Sequence, residues 1–216
     1  MVRRTKEEAE QTRSHIMATA LDLFCRHGLA KTSLTDIAQT ADLSRGAIYW
    51  HFRNKEELFV SLWEELCAPL AENMYACLNP DEPDPLGRLR IFLHQVMHKI
   101  VTEPAHRQMF SLIFHVESLE GEGVALREHM RQQSIRFHRD LEMTLLNARN
   151  HGQLPSHADP KRLAILMHCM LDGYIINWLH FPEYINLEEE IDFMLDTLFG
   201  LFTIQRVDND ILTPNA

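Results

Sequence analysis

The segment Ser44-Arg-Gly-Ala-Ile-Tyr-Trp-His-Phe52 gathers residue types suited to touching a nucleic acid. As a helix capped by Ser44, it places Arg45 in the first turn, where a guanidinium can grip both acceptors of a guanine edge, or a phosphate. Tyr49, Trp50 and His51 carry N–H or O–H donors for phosphate oxygens. Ala47 suits a thymine methyl or the packing of a neighbouring helix. Gly46 costs about 1 kcal/mol against alanine inside a helix, so it asks for a close backbone approach to a neighbour or a groove wall. Lys55 stands where the next helix begins, and the N–H groups and dipole of that terminus favour phosphate. Thr32 and Ser33 stand in the same relation to the helix that starts at Leu34. Arg3, Arg4 and Lys6 form a short basic arm able to follow the backbone or enter the minor groove. The plainer reading makes Arg45, Tyr49 and Trp50 ordinary surface and core residues of a small bundle, and composition alone does not separate the two.

Other chemistry is sparse. There is no GxSxG, no P-loop and no paired-glycine fingerprint, so no enzyme and no cofactor are expected. Of the 13 histidines, His94 and His98 stand at i, i+4, a spacing that can hold zinc. They have no HExxH context and no third ligand nearby, so no metal is expected. Cys25, Cys67, Cys77 and Cys169 show no CxxC and read as reduced thiols, mostly core filler, in a chain with no export signal. The expected location is the cytoplasm. The most apolar long stretch, Leu163 to Leu179, is interrupted by His168, Asp172 and Asn177, which argues against a membrane span.

The elements that position these residues read as helices. Ile16, Ala20, Leu23 and Phe24 share one helical face, stopped by Gly28. Leu34, Ile37, Ala38 and Ala41 repeat the pattern behind Ser33, and Ser44 caps a helix to about His51. Residues 34–41 and 44–51 thus form a candidate helix-turn-helix. Longer helices are predicted from Lys55 or Glu56 to about Leu78, with Pro69 inside, and then over 86–101, 105–116, 124–150, from a cap at Asp159 to about 179, and over 187–205. The proline-rich stretch 79–85 is a loop. No run has strand period. The fold class is all-α, about nine helices, with an N-terminal helix-turn-helix domain over 1–56 and a second helical domain over 57–216.

Charge follows this division. The 216 residues carry a net −10, which taken as a total argues against binding a polyanion. Residues 1–55 hold nine Lys/Arg and six Asp/Glu, however, while the remainder holds twelve and twenty-five. A balance of +3 beside −13 places the positive charge on the candidate helix-turn-helix and implies weak non-specific binding to a polyanion.

Thr32-Ser-Leu-Thr-Asp-Ile-Ala38, Ala41-Asp-Leu-Ser-Arg-Gly-Ala-Ile-Tyr-Trp-His-Phe52 and Lys55-Glu-Glu-Leu58 closely resemble the TetR/AcrR family of bacterial repressors. Arg4-Thr-Lys-Glu-Glu-Ala9, Asp84-Pro-Leu86, Ile113-Phe-His115 and Asp172-Gly173 with Asn177-Trp-Leu179 look like its AcrR-like branch, whose members control multidrug efflux pumps. The resemblance is dense over residues 1–60 and sparse but collinear to about 190. It implies a homodimeric repressor of a pseudo-palindromic double-stranded operator, released by a small-molecule effector and independent of membranes. It assigns DNA contacts to Thr32, Ser33, Ser44, Arg45, Gly46, Ala47, Tyr49, Trp50, His51 and Lys55. It raises Cys67, Leu93, Val96, Phe110 and Phe114 as ligand contacts within a wider set of core-type residues, among them Trp63, Leu66, Met97, Met109 and Phe137. It places dimerisation on the last two helices, with Met170, Tyr174, Trp178, Leu195 and Leu198 as the apolar seam.

Two departures bear on that transfer. The family's usual Ala-Gly-Val turn is Ala41-Asp-Leu43 here, and Asp tolerates the left-handed conformation well enough to keep the turn. The branch's His-Lys-Cys-Glu-Phe is His115-Val-Glu-Ser-Leu119, so no ligand residue is transferred from there. Glu117 and Asp172 lie in apolar surroundings and either meet a cationic effector or pair with an Arg or His. Pro69 reads as a hinge or as a simple bend around the core. A transcriptional activator, and a small-molecule-binding helical protein with an incidental N-terminal bundle, stay open as alternatives.

Overall fold

The computed structural model describes residues 6–116 and 123–203. Among them the chain forms nine α-helices and no strand: α1 Lys6–His27, α2 Leu34–Thr40, α3 Arg45–His51, α4 Lys55–Cys77, α5 Pro85–Thr102, α6 Pro104–Val116, α7 Val124–Asn150, α8 Pro160–His180 and α9 Leu187–Thr203. The basic residues Arg3 and Arg4, Glu117 and the end of the predicted last helix lie outside the described residues.

The boundaries have local causes. Helices α5 and α6 begin one residue before the hydrophobic pattern does, at Pro85 and Pro104, because a proline in the first turn lacks only an N–H that would have no helical partner. At α8 Asp159 accepts from the N–H groups of Lys161 and Arg162, ahead of Pro160. Asn54 Oδ1 accepts from Glu57 N–H at 2.7 Å, and Arg53 N–H donates to Glu57 Oε2 at 2.9 Å, which together start α4. Gly28 (φ 83) ends α1, and Gly152 (φ 74) ends α7 with Gln153 N–H reaching back to Ala148 O at 2.9 Å. Both glycines occupy the left-handed region that closes helices cheaply.

Contacts gather into two compact units, Met1–Glu72 with Gln95–Arg136 and Asn73–His94 with Phe137–Ala216. Residue 56 lies inside the first unit. The first unit extends past it because α6 packs on α1: Met109, Leu112 and Val116 share a core with Ile16, Ala20, Phe24, Ile37, Ile48, Phe52 and Phe59. That packing joins residues too far apart in sequence for local pattern to reveal. In the second unit α8 packs against α9, and Leu171, Ile175, Leu187, Ile191, Met194, Leu195 and Leu198 are buried.

Candidate nucleic-acid interface

Helix α3 is held by few residues and displays the rest. Ser44 is extended and accepts from Ala47 N–H at 3.1 Å, and Phe52 closes the helix with its N–H on Ile48 O at 2.9 Å. Ile48 (0% exposed) and Phe52 (2%) anchor it to the core. Ser44, Arg45, Gly46, Tyr49 and Trp50 are exposed, and Ala47 and His51 are half-buried. Trp50 stands 73% exposed with its ring edge-on to His51 at 4.5 Å. A tryptophan so exposed is suited to a partner, not to the interior.

The turn before α3 is built as its residues require. Asp42 has φ 54, and it is the one positive-φ residue other than glycine among the described residues. Leu43 N–H bonds Ala38 O at 2.9 Å and Asp42 N–H bonds Gln39 O at 3.3 Å, the paired closure of a left-handed helix end. Asp42 thus does the work of the family's usual glycine. His15 of α1 lies against the turn, its Nε2 3.1 Å from Ala41 O.

The flanking residues are placed less simply. Thr32 is 3% exposed and its hydroxyl donates to Gly28 O at 2.9 Å, so its side chain is turned inward, away from any phosphate. Ser33 caps α2: its hydroxyl accepts from Asp36 N–H, while its own N–H donates to Asp36 Oδ2 at 2.9 Å. The Ser33 hydroxyl, then its N–H, hold the Asp36 carboxyl below its usual range. The Lys55 ammonium donates to Leu29 O at 3.1 Å and Ala30 O at 3.3 Å, binding the start of α4 to the end of α1. An ammonium has three protons, so one more acceptor can be served.

Gly46 receives a specific explanation. A Cβ built there meets only Ser44 Oγ at 3.9 Å, so nothing within the chain requires the missing side chain. Gly46→Ala is therefore expected to stabilise the fold by up to about 1 kcal/mol, from helix propensity. It is also expected to weaken operator binding, because the methyl group stands where DNA would approach. Melting curves and duplex titrations should move in opposite directions, and a variant that binds like the parent would remove the close-approach explanation.

The residues expected to contact a ligand divide between the two units. Trp63 and Phe110 pack with ring centroids 6.3 Å apart in the first, where Cys67, Val96 and Phe114 are half-buried. Burial pushes the Cys67 thiol up to about 12. Leu93 belongs to the second unit and is 2% exposed. Two of the four cysteines, Cys25 and Cys169, are exposed, which corrects their reading as mostly core filler. No three His, Cys, Asp or Glu side chains among the described residues are placed to hold a metal, and no described helix is long and apolar enough to cross a membrane.

The residues expected at the dimer seam differ in exposure. Leu195 and Leu198 are 0% exposed and Trp178 is 8%, so all three are buried within this chain. Met170 and Tyr174 are half-buried. The apolar side chains that α8 and α9 turn to solvent are Ile165, Leu166, Phe193 and Leu201. Gly173 and Gly200 belong to the same two helices, and a Cβ at either meets nothing within 4 Å. The sequence signal was available for Phe193, which falls on the opposite helical face from Leu195 and Leu198, whereas Leu201, three residues after Leu198, borders their face.

Asp172 meets a histidine pair. His168 Nδ1 lies 3.2 and 3.0 Å from the two ring nitrogens of His138, and His168 Nε2 is 3.4 Å from Asp172 Oδ2. Burial, then the neighbouring His138, push His168 from 6.5 down to about 4. Burial pushes Asp172 from 3.8 up to about 6, with His138 pulling the other way. His168 contributes stability above its ordinary value and loses it as pH falls through the window to about 4, whereas the Asp172 contribution is present below 3.8 and is lost as pH rises to about 6. The two slopes oppose each other between those values. Asp172→Asn should therefore make stability fall more steeply on acidification, and His168→Phe should do the reverse. Melting temperatures in a pH series check this, and profiles parallel to the parent's would refute it.

Comparisons with known proteins agree with this geometry. Residues 16–62 match the family model of bacterial regulatory proteins of the tetR family, and residues 84–204 match the C-terminal region of MAATS-type transcriptional repressors. The HTH-type transcriptional regulator TtgR of Pseudomonas putida is 36% identical over 197 residues, covering 91% of this chain and 94% of the relative. The HTH-type transcriptional regulator AcrR of Shigella flexneri is 36% identical over 190 residues, with 88% of each chain covered. Among solved structures, a complex of SmeT with triclosan has a TM-score of 0.81 at 25% identity, covering 95% of this chain and 99% of that one. SmeT is described as the repressor of the Stenotrophomonas maltophilia multidrug efflux pump SmeDEF. With the tetR model on its N-terminal helices and more than half its length matched by the MAATS-type repressor model, this chain belongs to the TetR family of bacterial regulatory proteins.

Proposed function

We propose that this protein is a homodimeric, ligand-responsive transcriptional repressor acting in the cytoplasm, and not an enzyme. Two copies of α3 enter successive major grooves of a pseudo-palindromic operator. The observation that carries this reading is α3 itself, with Arg45, Tyr49 and Trp50 exposed above a buried Ile48 and a glycine that nothing in the chain requires. Residues 1–56 supply the DNA contacts and the remainder supplies sensing and dimerisation. The exposed apolar residues of α8 and α9, with Gly173 and Gly200, support dimerisation through those helices, because small residues let helix backbones approach closely. Effector binding weakens the operator complex by preferring the form of the dimer that does not fit DNA.

The regulated genes are proposed to encode a multidrug efflux system, and the effectors to be small apolar or cationic compounds. SmeT's role and its complex with triclosan support this part. Triclosan is a suitable first probe. A duplex selected by the protein should be released as triclosan is added, and transcripts of a neighbouring efflux operon should rise when the gene is deleted. A fall in those transcripts would mark an activator, and no change would remove efflux control from the proposal.

A further inference from the structure

Within the first unit, α4 contains Pro69. A proline gives no N–H to the carbonyl four residues earlier, that of Glu65, and its ring crowds that carbonyl. The next carbonyl, that of Leu66, receives a hydrogen bond from another helix: Nε2 of His106 on α6 lies 3.1 Å away. A carbonyl only accepts, so this nitrogen carries the proton. His106 is 4% exposed, and its Nδ1 lies 2.9 Å from Glu103 Oε2. The buried imidazole is held through Nε2, its Nδ1 making no hydrogen bond, and so forms a strut between α6 and the interrupted turn of α4.

The same turn is gripped from the DNA-reading side. Glu65 Oε2 lies 3.4 Å from Arg13 Nη1 of α1, and the Arg13 guanidinium sits 5.3 Å over the ring of Phe52, the residue that closes α3. Residues 65 and 66 therefore meet α6 through a backbone carbonyl and the end of α3 through a side chain, where the hydrogen-bond ladder of α4 is broken.

We propose that His106 is a positioning residue for DNA binding: it fixes the path of α4 through the Pro69 break, and Glu65, Arg13 and Phe52 pass that path to the C-terminal end of α3. The inference rests on the reading that α3 contacts DNA. The Leu66 carbonyl has two lone pairs and can accept from His106 as well as from the helix, so the bond ties α6 to α4 immediately beside the carbonyl that proline leaves without its donor.

The test uses the full-length protein and a duplex it has itself selected, with a scrambled duplex as reference, and reads the ratio of the two affinities alongside the melting temperature. His106→Phe, which keeps a ring and removes the donor, is expected to lower the ratio about tenfold, a coupling of ordinary allosteric size. His106→Gln, which restores an N–H donor, should recover most of it. Pro69→Ala repairs the ladder at an exposed position and should lower the ratio while raising the melting temperature. With alanine at 69, His106→Phe should cost little more, since the turn no longer needs the strut. Should His106→Phe fail to fold, Pro69→Ala and Glu65→Gln still decide, both expected to lower the ratio. A ratio unmoved by these changes, with only the melting temperature altered, overturns the proposal and leaves His106 as core packing. If the parent itself does not distinguish the two duplexes, the reading of α3 falls and this inference falls with it.

Discussion

Arg45→Ala is expected to remove sequence discrimination while leaving the fold intact. Arg45 is exposed in the first turn of α3, and its removal opens no cavity. A bidentate base contact is worth about 1–3 kcal/mol, and a symmetric dimer makes it twice, so operator affinity should fall by about 30-fold to 10⁴-fold. Affinity for scrambled duplex should fall far less. Lys55→Ala should behave differently. It should weaken binding to every duplex and flatten the salt dependence, because a phosphate contact carries no sequence information. It should also lower the melting temperature, because Lys55 holds the carbonyls of Leu29 and Ala30. Anisotropy titrations at several salt concentrations separate the two patterns. If Arg45→Ala bound the operator as the parent does, α3 would not be the element that reads sequence.

Phe193→Glu should have an effect of similar size from a distant position. Phe193 is 62% exposed on α9, so a charge there should leave the protomer folded while disrupting an apolar face meant for a second copy. Sedimentation equilibrium should show a shift toward monomer. Operator affinity should drop by about 10² to 10⁴, because each half-site is then bound without the effective concentration that linkage provides. Leu198→Ala is the informative contrast. That side chain is fully buried, so its truncation should cost about 2–5 kcal/mol of stability through the cavity left behind. A dimer undisturbed by Phe193→Glu would move the interface away from this face of α9.

Much of this was legible in the sequence wherever the determining interactions are local. Apolar spacing, caps at Ser33, Ser44 and Asp159, and the stop residues Gly28 and Gly152 locate the helices to within a residue or two. Asp42 could be read as a turn residue because the left-handed penalty is a property of the residue type. Orientation was less accessible. Thr32 and Lys55 carry donors suited to phosphate, yet one is turned inward and the other serves carbonyls some 25 residues earlier, and both facts depend on where α1 ends in space. Leu195 and Leu198 are apolar, a character that a buried core and a subunit interface share. The strut from His106 to Leu66 joins two helices 40 residues apart and has no signature in the local pattern.

The charge distribution takes on physical content from the same placement. A net −10 does not oppose DNA binding when the reading helix carries an exposed arginine and two exposed aromatic donors. It does predict a protein with little affinity for arbitrary duplex, because few phosphates are neutralised. On the proposed reading, specificity then rests on two copies of α3 held at fixed separation.

Selection of bound sequences from a random duplex library measures that separation most directly. The enriched sites should contain two inverted half-sites whose centres lie about 10–10.5 base pairs apart, or a multiple of it, matching a two-fold dimer with one α3 in each major groove. Arg45→Ala should enrich the same spacing with weakened base preference. A library that yields no common sequence, or one unrepeated half-site bound equally well by the Phe193→Glu variant, would contradict a dimeric reader built on α3.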